Sequence, residues 1–270
     1  MKSLVSLAAL AAALMAVPAH ADNHGKSRKT PAAAAAFVEQ AEASLLKESE
    51  KAARASWVYA NFITGDTAAI AADADAAFTA MLVDLAVKAA DYAKVKGLDP
   101  EVERKLTMLR TGIVTPAPVR PGAAEDVAAI KTRIEGIYGR GQGTLNGEPI
   151  SGSDIEAKMG TVRDPAQLKE MWTSWHDNVG APMKDDYARL VELMNAGARD
   201  LGFADAGALW RSNYDMPPEE FAALTETLWQ EVKPLYEELH CYVRAELNAE
   251  YGDGVQAASG PIRADLLGNM

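Results

Sequence analysis

The sequence predicts an all-α protein, and three observations carry that expectation. From residue 31 onward, apolar residues recur at steps of three and four, the period of one face of a helix. Asp99-Pro100 and Asp164-Pro165 each place an N-cap residue before a proline at the first helical position. Finally, Phe221, Leu224, Leu228, Val232, Leu235, Leu239, Val243, Leu247 and Tyr251 form a single stripe. At helical rise that stripe is about 50 Å long.

The elements follow in order. Pro31 opens a helix running to about residue 64, with Phe37, Ala41, Leu45, Ala52 and Trp57 on its inner side. Gly65-Asp66 breaks it, and a second helix from Thr67 carries Ile70, Phe78, Met81, Leu82, Leu85 and Tyr92 and stops at Gly97. A third runs from Asp99-Pro100 to Gly112, and the proline-rich stretch 115–122 is an extended connector. A fourth helix covers about 123–138. The glycine-rich stretch 139–153 reads as a surface loop and is the one region where a small hairpin fits. Asp164-Pro165 begins a helix with Leu168, Met171, Trp172, Trp175 and Val179 inward. Pro182 starts another, with Met183, Tyr187, Leu190, Val191, Met194 and Leu201 inward, and a short helix at 205–213 carries Trp210. The long helix starts at Pro217-Pro218, and Pro234 inside it should kink it or mark a restart.

Residues 1–21 read as a signal peptide: Lys2, a Leu/Ala/Val run and the small-residue pattern Ala19-His20-Ala21. Pro18 and the short run argue against a membrane anchor, and no later stretch is apolar for long enough to span a bilayer. The expectation is an exported protein, periplasmic or secreted. A net charge of −11 repels nucleic acid and anionic lipid. The single Cys241 excludes an internal disulfide, and its place in an apolar helix pattern predicts a buried, inert thiol.

The residues alone assemble no active site. His24, His176 and His240 show no i, i+4 pairing for zinc, and there is no HExxH. No serine sits in a G-x-S-x-G elbow. The loop at 139–153 follows a helix pattern rather than a buried strand, so it is no phosphate loop. His176 and His240 read as structural histidines, Trp172 and Trp175 as core. The eight glutamates at 219, 220, 226, 231, 237, 238, 246 and 250 mostly point away from the stripe, as on a solvated face. On these grounds no catalytic and no metal-binding residue is assigned, and an exported helical peptide-binding protein stays open.

Four segments carry a resemblance. "ASWVYANFIT" (55–64), "LGFADAGALWRSNYD" (201–215), "VKPLYEELHCYVRAELNAEYG" (232–252) and "GPIRADLLGNM" (260–270) resemble, in order and spacing, the angiotensin-converting enzyme family. These are zinc peptidyl-dipeptidases, and the similarity extends to their bacterial secreted members. It covers essentially all of 22–270 and is strongest after about residue 165. The loop at 139–153 departs from the animal enzymes, which carry a disulfide there.

The resemblance implies an N-terminal part of a helical peptidyl-dipeptidase domain at 22–270. The helices at 31–64, 67–97 and 100–112 would form a lid over a deep peptide channel, and the later helices one wall. In the family "LLGNM" runs on into a catalytic portion with the HEMGH zinc helix. The expectation is therefore an incomplete domain, truncated before its zinc site and inactive alone. The full-length enzyme would use zinc to remove C-terminal dipeptides from oligopeptide substrates. The family's anion sites draw on positions matching Arg211 and Tyr251, which makes chloride a second expected ligand.

Overall fold

Most helices begin on a capping side chain that the sequence announces. The computed structural model describes residues 29–270; the predicted signal peptide and His24 lie outside the described residues. Helix α1 (Pro31–Asn61) starts where the Thr30 hydroxyl accepts from the Ala33 amide. Helix α2 (Gly65–Ala90) starts with a reciprocal Thr64–Thr67 capping box. Asp99 caps α3 (Pro100–Thr111), and α4 (Ala123–Gly139) follows the extended connector. A hairpin of β1 (Gln142–Leu145) and β2 (Glu148–Ser151) comes next. Ser151 caps α5 (Gly152–Met159) and Asp164 caps α6 (Pro165–Trp175). A π-helical turn, His176–Gly180, leads into α7 (Ala181–Asp200). Asp205 caps α8 (Ala206–Arg211), and α9 spans Pro218–Tyr251. Each side-chain cap stabilises its helix by about 1 kcal/mol.

Three apolar clusters hold these elements together. The first joins Val83 and Ala86 of α2, Val127 and Ile130 of α4, Leu190, Leu193 and Met194 of α7, and Leu209 of α8. The second packs Ile155, Met159, Leu168, Met171, Trp175, Val179 and Leu266 beneath the hairpin. The third fastens α1 to α2 and α3 through Ala34, Val38, Ala89, Tyr92 and Leu106, with Phe37 stacked on Tyr92 at 5.3 Å.

Several expectations need correction. Helix α2 stops at Ala90, short of Gly97, because turns at 91–94 bring Tyr92 back onto Phe37. The break expected near residue 181 is only the π turn, which carries α6 into α7 without a loop. Trp57 points outward and is 64% exposed; Tyr59, about 200° further round the helix, takes the inward place. Tyr187 and Val191 are likewise exposed rather than inward, and Ile70 and Trp210 are exposed too. Cys241 is exposed, not buried. The cause is the same for the whole of α9: none of its residues is buried, and Leu224, Leu228, Val232, Leu235 and Leu239 stand open. Pro234 leaves α9 a single continuous helix.

The hairpin forms where glycine-rich sequence left room for one. Asn146 and Gly147 occupy its turn at φ 55° and 80°, the left-handed pair a tight two-residue turn requires. Glu170 of α6 holds that turn by accepting the Asn146 amide at 2.9 Å and the Gly147 amide at 2.8 Å. The Ser174 hydroxyl accepts the Thr144 amide at 2.8 Å. The Gly147 amide, joined by that of Asn146, lowers the Glu170 pKa below its usual 4.5. A depressed carboxyl contributes stability that is present above its unfolded pKa and lost as pH falls through its folded pKa. Amide exchange at Asn146 and Gly147 should therefore lose protection on acidification through that range. In Glu170→Gln the protection should be lower at neutral pH and flat across it; an unchanged pH profile would rule out the clamp.

Candidate functional site

The end of α1 lies against α4 because α4 offers it a glycine. A side-chain carbon on Gly136 would sit 2.4 Å from the Tyr59 hydroxyl, so only glycine admits that ring. The hydroxyl donates to the Thr132 carbonyl at 3.0 Å in a buried setting. Helix α7 is fixed to α4 by a two-point pair, with Arg133 Nη2 at 2.6 Å and Nε at 3.2 Å from the Asp186 carboxylate. Between the three helices opens a cleft of about 500 Å³. Tyr59 of α1, Ile63 in the link that follows it, Ile134, Glu135 and Tyr138 of α4, and Met183 and Tyr187 of α7 line it.

Apart from the tyrosine hydroxyls, this lining is apolar but for Glu135 and Ser56. Burial pushes the Glu135 carboxyl above its usual range, the Lys131 charge partly offsets that rise, and Asp75 adds to it. The Lys131 ammonium lies 2.8 Å from both Asp75 oxygens, so it is committed to α2. An apolar, aromatic hollow with one convergent carboxyl is the usual form of a small-ligand or side-chain site. A second hollow of about 310 Å³ lies between α2 and the connector, bounded by Val83, Val119, Arg120 and Pro121.

Arg211 and Tyr251, singled out in the sequence, are not brought together. Arg211 ends α8, half-buried, and its Nε is buried without a hydrogen-bond partner. Its guanidinium folds back along α8 toward Gly207. Tyr251 is the last residue of α9 and packs against the second cluster. The length of α9, about 50 Å at helical rise, lies between these positions. His176 stacks on Trp172 at 3.8 Å, with its Nδ1 2.7 Å from the Trp172 carbonyl, and His240 lies beside Tyr236. Among the described residues, no group of three or more His, Cys, Asp or Glu is gathered to hold a metal, so these residues do not fit a zinc ion.

Glu135, Tyr59 and Tyr138 were not singled out in the sequence, and Tyr187 was read only as an inward helix residue. The available signal was a lone carboxylate between Ile134 and Ile137 on an otherwise apolar turn.

Comparison with known proteins decides the family. The peptidase M2 family model, described as angiotensin-converting enzyme, matches residues 28–270. The chain belongs to the angiotensin-converting enzyme family. The angiotensin-converting enzyme of Mesocricetus auratus is 31% identical over 223 residues, 80% of this chain and 17% of that protein. That of Oryctolagus cuniculus is 35% identical over 176 residues, covering 64% and 13%. That of Haematobia irritans exigua is 37% identical over 117 residues, covering 43% and 19%. The matched part thus spans less than a fifth of these relatives. As a member of this metallopeptidase family, the chain has an all-α fold, and among its described residues no helix is long and apolar enough to cross a membrane.

Proposed function

We propose that residues 22–270 are the lid and one channel wall of an exported zinc peptidyl-dipeptidase, which removes C-terminal dipeptides from oligopeptides. Residues 1–21 are its signal peptide. The observation that carries this reading is the cleft: it lies where α1, the first lid helix, meets α4 and α7, within a chain matched to the family over residues 28–270. Lid helices α1, α2 and α3 share one cluster at the start of α1, so they hold together as a unit. Its tyrosines and apolar side chains bind and orient peptide and exclude water from it.

In the full-length family enzyme, zinc would supply the Lewis acid for peptide hydrolysis. Its ligands are not among the residues described, and the 270-residue chain alone is inactive. Chloride is held by Arg211, whose buried and unpartnered Nε suits an anion, and separately by Tyr251. One assay tests these points together. The chain alone should release no dipeptide from a blocked tripeptide, with or without zinc. Joined to the zinc-bearing portion of a family member it should do so, and Arg211→Gln should weaken the chloride response by about tenfold or more. Chelator-sensitive release by the chain alone, or an unaltered chloride response, would contradict the reading.

A further inference from the structure

We infer that the cleft between α1, α4 and α7 selects peptides carrying a lysine or arginine side chain, with Glu135 as the specificity-determining group. This rests on the cleft being peptide-facing. Ile63, Ile134 and Met183 supply apolar walls that suit the methylene stem of a long cationic side chain. Tyr138 and Tyr187 remain 58% and 52% exposed, so their rings are free to meet a cation. Glu135 lines the same cleft and has no hydrogen bond or ion pair among the described residues.

The nearby cations make no ion pair with it, although the Lys131 charge is felt there. Lys131 is held by Asp75, and Arg133 by Asp186. Arg140 lies over Gly136 and does not line the cleft. An apolar side chain in the cleft would strip water from Glu135 and give it nothing in return, whereas an ammonium or guanidinium completes it. An acidic side chain would be repelled. The overall charge of −11 further favours a cationic visitor.

The test uses the full chain with two probes, benzoyl-arginine amide and benzoyl-citrulline amide. Citrulline keeps the length and shape of arginine and removes its charge. Dissociation constants come from ligand-observed NMR titration, and circular dichroism melts establish that each variant is folded. The arginine probe should bind about fivefold tighter than the citrulline probe, the scale expected of a half-exposed ion pair. Glu135→Gln should bring that ratio close to one without weakening citrulline, and Glu135→Lys should invert it. Binding of both probes with no preference, or a preference that survives both variants, overturns the role of Glu135 while leaving the cleft as a ligand site. Failure of both probes to bind overturns the inference and the peptide-facing reading together.

Discussion

Gly197→Val is expected to destabilise the protein by about 3 kcal/mol or more. A side-chain carbon at Gly197 of α7 would lie 2.3 Å from the Pro116 carbonyl oxygen and 2.7 Å from the carbonyl carbons of Pro116 and Ala117. Those neighbours are backbone, and they have nowhere to go. Ala117 is 1% exposed, and the connector is pinned on both sides. Asp200 accepts the Val119 amide at 2.8 Å, and the Trp210 indole donates to the Val114 carbonyl at 2.8 Å. Equilibrium denaturation in urea is the check. Gly197→Ala should already lower the midpoint, and a valine variant with the wild-type midpoint would show that α7 does not lie on the connector as described.

Met171→Ala should cost about 2–5 kcal/mol, the range for emptying a buried site of this size. Met171 has no exposed surface and belongs to the cluster of Ile155, Leu168, Trp175, Val179 and Leu266. That cluster joins α6 to the π turn, α5 and the C-terminal turn, so the cavity has walls from elements distant in sequence and cannot collapse easily. Met171→Leu nearly conserves volume and should cost less than about 1.5 kcal/mol. The urea midpoints of the two variants should differ clearly; equal midpoints would contradict the packing.

What could be read in advance was what the chain decides locally. Caps at Asp99 and Asp164 and the proline start at Pro31 fall as expected, because each depends on residues within one turn. The side that faces inward is a tertiary matter, and there the sequence misleads. Trp57 and Tyr59 are both large and two residues apart, so only the presence of Gly136 on α4 decides which is buried. Periodicity located the α9 stripe correctly, yet the same pattern cannot say that a partner surface is in place. Leu235 is 72% exposed, and Cys241 shares that open helix.

The candidate site was less legible than the fold. Family segments pointed to Arg211 and Tyr251, which the structure sets at opposite ends of α9. The cleft is made by single residues from three helices, none of which forms a motif. Tyr59, Glu135 and Tyr187 meet only once Arg133 has locked α7 to α4.

That the cleft between α1, α4 and α7 receives peptide is tested most directly by photolabelling. An oligopeptide with a free C-terminus and a benzophenone side chain is irradiated with the full chain, and the adducts are mapped by mass spectrometry. Labelling at Ile63, Met183 and Tyr187, suppressed by excess unlabelled peptide, is the predicted result. Labelling confined to the open stripe of α9, or none that unlabelled peptide displaces, would contradict it.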